Sequence, residues 1–241
     1  MSLEPYHLFP QVERLLRGIE SRESPLVQLW GWPGSGAMAV LEALLARQGR
    51  RALGLPLAML ETAGEPALRE TLEAARDEGV RWLVAAGEPP AERLALAERW
   101  LLPGQRLIFA AGRRSSSAIL LDVVPPQELL LDPAEVSSLG LLVTGAEPSP
   151  AASRALWEAT DGWYRPLRLA LEAAGTSGLE GAGPDALLDL PAVRLFLRQE
   201  VLDALPREES DLLLDAPAER PAAGGGGEDA WRVIAALGLW V

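Results

Sequence analysis

The residues best suited to chemistry lie in one short stretch. Leu26-Val-Gln-Leu-Trp30 is an apolar run that passes into Gly31-Trp-Pro-Gly34-Ser35-Gly36-Ala37-Met38 and then into a helical pattern. Strand, glycine-rich turn and helix in that order build an anion cradle, in which backbone N–H groups and the positive end of the helix face a phosphate. In the full motif, G-x-x-x-x-G-K-S/T, the lysine neutralises the β- and γ-phosphate oxygens and the hydroxyl holds magnesium. Gly31 and Gly36 have the required spacing, yet Ala37 stands at the lysine position and Met38 at the hydroxyl position. Losing one charged hydrogen bond removes about 1.5 to 3 kcal/mol, which weakens phosphate binding by about ten- to a hundredfold. Catalysis suffers more, because phosphoryl transfer rests on positioning and electrostatic stabilisation. The competing reading of Gly31 to Gly36 is a tight strand-to-helix turn without a ligand.

Composition closes off other chemistries. The chain has no cysteine and a single histidine, His7, so thiolate and histidine-cluster metal sites are excluded and no metal site is expected. His7 has no partner in sequence with which to form a triad. The sequence contains neither lysine nor asparagine, and all 22 basic residues are arginine. A Schiff base or a lysine phosphate ligand is therefore impossible. The net charge of -12 repels a nucleic-acid backbone, so no direct nucleic-acid contact by this segment is expected. Met1 to Pro10 lacks a basic region followed by an apolar run, and no stretch reaches roughly eighteen uninterrupted apolar residues. Those features predict a cytoplasmic setting and no membrane contact.

The elements that must position the loop follow from hydrophobic periodicity. With 241 residues, 49% of them hydrophobic, the chain can bury a sizeable core. Strands are expected at Leu26 to Trp30, Ala52 to Leu57, Val80 to Ala86 and Gln105 to Ala111. Helices between them carry the stripes Met38-Leu41-Leu45, Leu68-Leu72-Ala75 and Leu94-Ala97-Leu101. Gly49, Gly79 and Pro103-Gly104 mark their ends. The run Ala118 to Val124 fits strand or helix, and Glu128 to Leu131 reads as the fifth strand. Alternation of this kind predicts an α/β fold with a mostly parallel five-stranded sheet.

The second half changes character. Ser149-Pro150 is an N-cap and first-turn pair that opens a helix to Thr160, broken at Asp161-Gly162 and resumed over Pro166 to Ala174. A Gly-rich connector spans Thr176 to Pro184. A third helix over Pro191 to Leu205 carries the stripe Val193-Leu197-Val201-Leu205, and a fourth starts near Arg207. Pro221 to Gly227 reads as a flexible loop, Glu228 to Leu237 as a helix, and Gly238 to Val241 as a strand start that continues beyond the sequence, since an exposed Leu-Trp-Val end is an apolar liability.

Five further stretches follow the loop in order: Arg81-Trp-Leu-Val-Ala85-Ala86-Gly87-Glu88, Leu107-Ile-Phe-Ala-Ala-Gly112-Arg113, Glu128 to Leu139, Trp157 to Leu171, and Phe196 to Pro206. Taken with the loop, they resemble STAND-class P-loop NTPases, particularly the regulatory ATPase domains of large LuxR-type, maltose-regulon-activator-like transcriptional regulators. The resemblance implies a P-loop NTPase-like domain over 1–145, a helical lid with its connector over 146–190, and a partial winged-helix-like domain over 191–241. It places Ala85, Ala86 and Gly87 where that family carries its Walker B acids, with Glu88 displaced. It matches Arg113 to a sensor arginine able to contact a γ-phosphate, and Pro166 to a proline that packs on adenine.

Each of these residues also has a plainer role available. Trp157 and Trp163 fit a core as well as a ligand platform. Arg113 and Arg114, in a Ser-rich loop, fit solvent, and Glu208-Glu209 and Glu228-Asp229 fit helix starts that complement the macrodipole. Trp32, inside the turn, is expected to take up space that a nucleotide would need. The expectation is therefore a domain with no catalytic residue, whose vestigial nucleotide pocket comprises Gly31, Gly34, Ser35, Gly36, Ala37, Met38, Arg113 and Pro166. It needs no cofactor and works through protein partners or other domains of the same regulator. The alternative is a switch that binds ATP or ADP without hydrolysing it. An unrelated α/β enzyme would need a converging acid, base or nucleophile that no pairing of Ser, Asp and His7 supplies.

Overall fold

A computed structural model describes residues 10–31, 33–112, 114–115, 121–175, 186, 190–203, 207 and 211. The chain divides into two compact units, Met1–Gly31 with Gly36–Leu129, and Trp32–Ser35 with Leu130–Val241. His7, Trp32, Arg113, the connector 176–184 and the segment 212–241 lie outside the described residues, as does the body of the fourth expected helix.

The first unit is an α/β layer structure. Strands β1 (Leu26–Trp30), β2 (Ala52–Gly54), β3 (Trp82–Ala86), β4 (Arg106–Ala111) and β5 (Leu121–Val124) form one sheet in the order β2-β3-β4-β1-β5. Every pairing is parallel. Helices flank it: α1 (Pro10–Glu20), α2 (Ala37–Gln48), α3 (Leu57–Glu61), α4 (Glu65–Asp77), α5 (Ala91–Trp100) and the short α6 (Pro126–Leu129). A parallel sheet covered on both faces needs apolar residues at successive strand positions, and Leu26, Val27, Leu29, Leu83, Val84, Leu107, Ile108 and Phe109 are all buried. The α4 stripe Leu68-Leu72-Ala75 and Leu94 and Ala97 of α5 pack with Leu26, Leu83, Leu107 and Phe109 in one core cluster. Each large aliphatic side chain so buried contributes about 1.5 to 3 kcal/mol.

Three expectations change. The fifth strand is not Glu128 to Leu131 but Leu121–Val124, in register with Leu26–Leu29 of β1. Pro125 and Pro126 explain the difference: neither has an N–H for a ladder, and Pro126 opens α6 while Glu128 N–H donates to Pro125 C=O at 3.0 Å. The second strand stops at Gly54, because Pro56 caps α3 and Leu57 enters a helix. The buried face of α2 is Ala37, Val40, Leu41, Ala43 and Leu44 instead of a stripe through Met38, which is 48% exposed.

The second unit is helical among its described residues: α7 (Pro133–Thr144), α8 (Pro150–Thr160), α9 (Tyr164–Ala174) and α10 (Pro191–Phe196), the last running into a π-helical turn, Leu197–Leu202. Asp132 caps α7 with a capping box. Its carboxylate accepts from Ala134 N–H at 2.9 Å and Glu135 N–H at 2.8 Å, while Glu135 accepts from Asp132 N–H. Ser149 caps α8 as its type predicts, accepting from Ala152 N–H at 3.2 Å. The third expected helix is shorter in its α-form, ending at Phe196. Val193, Phe196 and Val201 are the buried members of α10 and the turn that follows it.

Candidate functional site

Strand order locates the crevice where a parallel α/β sheet takes a ligand. From β1 the chain crosses to the β2 edge, returns through β3 to β4, and from β4 passes over β1 to β5. Connections leave β1 and β4 in opposite directions, and ligands of open α/β sheets bind outside the carboxyl ends of strands at such a point. The carboxyl end of β1 is Trp30-Gly31, and Gly31 N–H donates to Ala111 C=O at the end of β4, 3.2 Å away. Gly112 follows there, and Glu88 Oε1 lies 3.6 Å from where a Gly112 Cβ would stand. The glycine-rich stretch thus leaves the sheet at its switch point, in a P-loop NTPase-like layout.

Two loop glycines adopt conformations that side chains resist. Gly36 has φ 92° and serves as N-cap of α2, its carbonyl accepting from Val40 N–H at 2.9 Å with no side-chain cap on the helix. Ala37 and Met38 are the first two residues of α2. Ala37 is 7% exposed and Met38 48%, so the position that would carry a lysine is buried methyl and the hydroxyl position is an exposed thioether. Neither can neutralise a phosphate or ligate magnesium. At the end of β3, Ala85-Ala86-Gly87 offers no carboxylate, and Gly87, with φ 124°, ties its N–H to Ala110 C=O at 2.9 Å. Glu88, one residue further, is exposed. The groups present do not fit a magnesium–nucleotide triphosphate held in the usual way.

Within the second unit, the loop tip 33–35 packs on its own chain. Gly34 has φ 78°, and its carbonyl accepts from Arg165 N–H at 3.0 Å. A Cβ at Gly34 would stand 2.6 Å from Arg165 Cβ and 2.6 Å from Phe196 Cζ. Phe196 in turn meets Trp163 edge to face, with ring centroids 5.5 Å apart. Ser35 is 2% exposed. Pro166, the residue matched to an adenine contact, is buried at the third position of α9, beside Arg165. Phe196 and Arg165 were not singled out for this place from the sequence. The three-residue spacing of Val193 and Phe196, both buried, was the available signal.

The Trp157 to Leu171 stretch acts first as a structural clamp. Gly162, with φ 77°, accepts at its carbonyl from Leu131 N–H at 2.9 Å, and Trp157 Nε1 donates to Leu131 C=O at 3.1 Å. A side chain at Gly162 would collide with the Leu131 carbonyl. Asp161 sits in the left-handed region at φ 49° as C-cap of α8. Although it is exposed as a residue, partial desolvation holds its carboxyl above the ordinary aspartate value. Arg114 is exposed. Among the described residues no cluster of three His, Asp or Glu side chains could hold a metal ion, and no helix is long and apolar enough to cross a membrane.

Comparison with known proteins bears on the fold alone. No protein-family model matches the chain, and no curated protein gives a significant match. Among solved structures, domain III of the Thermotoga maritima replication initiation protein DnaA is similar with a TM-score of 0.45 at 13% identity, covering 83% of this chain and 99% of that one. The Thermotoga maritima RuvB Holliday junction branch migration motor has a TM-score of 0.45 at 13% identity, over 86% of this chain and 78% of that one. A variant form of the same RuvB has a TM-score of 0.43 at 12% identity, over 87% and 74%.

Proposed function

We propose that this chain is a catalytically inactive, ATPase-like module of a larger cytoplasmic signalling or transcriptional regulator of STAND type, acting through protein–protein contact. The observation that carries the reading is the pair Ala37 and Met38 at the start of α2, where an anion cradle needs a cation and a metal ligand. The carboxylate-free end of β3 supports it. So does the packing of the loop tip against Arg165 and Phe196, which gives the glycines a structural reason to be there. Scaffold use of the fold needs shape without turnover, and that is what these groups supply.

Thermal unfolding with and without millimolar ATP tests the proposal. A ligand present at a hundred times its dissociation constant stabilises by about 2.7 kcal/mol, which for a chain of this size is a shift of about 5 to 10 °C. The inactive-module reading expects no shift with ATP or ADP, with or without magnesium. The second reading, a switch that binds ATP or ADP without hydrolysis, is favoured by Gly36, whose left-handed conformation opens α2 with no side-chain cap. There the backbone of Gly34 to Ala37 would hold the phosphates, Arg113 would supply charge and Pro166 would meet adenine. A nucleotide-dependent shift that disappears in Arg113→Ala favours that switch over the inactive scaffold.

A further inference from the structure

Three arginines gather at the amino ends of β2, β3 and β4, the sheet edge opposite the glycine-rich loop. Parallel register requires this: Ala52 pairs with Trp82 and Trp82 with Arg106, so Arg51 and Arg81 each stand one residue before a paired strand start. Arg81 N–H donates to Arg51 C=O at 2.8 Å, and Arg106 N–H donates to Arg81 C=O at 2.8 Å. With neighbouring strands about 4.8 Å apart, the three residues sit side by side at one end of the sheet, although Arg106 is in register with Trp82 and not with Arg81. They line a cleft of about 330 Å³ together with Trp82, Gln48 and Glu20.

The three arginines differ in how they are held. Arg106 donates through Nη1 to Ile19 C=O and through Nη2 to Glu20 C=O at 3.1 Å, and its guanidinium lies 5.9 Å from the Trp82 ring centroid. It is fixed before any ligand arrives. Arg51 and Arg81 are exposed, and among the described residues neither guanidinium has a hydrogen-bond or ion-pair partner. Three arginines and one acidic residue, Glu20, line the cleft, in a chain whose net charge is -12. The local excess is about two positive charges. A planar carboxylate is satisfied by a single arginine fork, whereas a tetrahedral phosphate presents oxygens to several forks at once.

We propose that this cleft binds a compact phosphate group carrying two or more negative charges, a diphosphate or a phosphomonoester, through Arg51 and Arg81 against a fixed Arg106. It is a second anion site, separate from the glycine-rich loop and independent of whether that loop takes a nucleotide. The volume falls at the lower end of ligand pockets, which suits a ligand of this size.

Titration calorimetry of the full chain with inorganic pyrophosphate, in magnesium-free buffer, tests it. The expected result is one-to-one binding that weakens at least tenfold in Arg51→Gln/Arg81→Gln and falls as salt is raised. Both replaced side chains are exposed, so the variant keeps its fold, which circular dichroism verifies. Arg114→Gln, at the opposite sheet edge, leaves the affinity unchanged. Three outcomes would overturn the assignment: no binding at millimolar pyrophosphate, binding indifferent to the double substitution or lost in Arg114→Gln, and malonate binding as tightly as pyrophosphate. AMP added to the same titration separates the two phosphate sources, since a monoester-selective site binds it tighter than pyrophosphate and a diphosphate-selective site does the reverse.

Discussion

Replacing Gly34 by alanine asks whether the loop tip is shaped by this chain's own packing. Gly34 has φ 78°, where an L side chain costs about 1 to 2 kcal/mol. The new Cβ would stand 2.6 Å from Arg165 Cβ and 2.6 Å from Phe196 Cζ, an overpacking that costs about 1 to 3 kcal/mol more. The sum is about 2 to 5 kcal/mol. At about 2 to 4 °C per kcal/mol for a chain of this length, the melting temperature should fall by about 4 to 20 °C. Ligand-free protein, followed by circular dichroism on heating, reads the effect directly. Trimming the opposing ring relieves part of the strain, so Gly34→Ala/Phe196→Ala should lose about 0.5 kcal/mol or more less than the two single changes added together. The φ component remains, because Phe196→Ala leaves the backbone as it was. A Gly34→Ala melt within about 1 °C of the parent would refute the reasoning, and would return the glycine to a role in receiving a ligand.

Asp132→Ala removes a carboxylate that accepts from two amides at the start of α7. Urea denaturation should show a loss of about 1 kcal/mol. Asp161 has a folded-state pKa raised above 3.8 by desolvation, so the folded chain holds that proton more tightly than the unfolded one does. Its contribution is full below the unfolded pKa and is lost as pH rises through the folded value. Asp161→Asn, which tolerates the left-handed conformation, should therefore be more stable than the parent at pH 7, and the gap should close below about pH 4 when unfolding is compared at the two pH values. Installing a cation and a hydroxyl with Ala37→Lys/Met38→Thr should bring ATP binding into the range that calorimetry detects, a gain of at least about tenfold over the parent's limit, while phosphate release stays at background because Ala85-Ala86-Gly87 still supplies no acid. An unchanged affinity would count against the loop as a lapsed phosphate site.

Much of the frame was legible in the sequence because it rests on local rules. Leu26–Trp30 is an apolar run long enough for a strand and too short for a helix, and it folds as one. Leu68, Leu72 and Ala75 recur at helical spacing and all face the core. Ser149-Pro150 opens α8 through the hydroxyl that its type supplies. Elsewhere two readings competed and neighbours decided. Leu129 to Leu131 is as apolar as a strand, yet Pro125-Pro126 ends the ladder before it and β1 pairs with Leu121–Val124. Met38 fits a stripe on paper, but sheet contact selects the adjacent face through Val40, Leu41 and Leu44. At the site, the missing lysine and hydroxyl were readable as plain residue identities. The packing of Phe196 against Gly34 was not, since it joins residues about 160 positions apart in the second unit and no local periodicity encodes such a contact. The arginine cleft was hidden for a similar reason: Arg51, Arg81 and Arg106 become neighbours only through the strand order.

The most direct test of the account is ATP turnover by the purified chain, measured as phosphate release with magnesium present. The account predicts release indistinguishable from protein-free buffer, because Ala37 and Met38 at the start of α2 carry neither a cation nor a magnesium ligand and β3 ends in Ala85-Ala86-Gly87. Magnesium-dependent release that vanishes on altering Gly36 would contradict it.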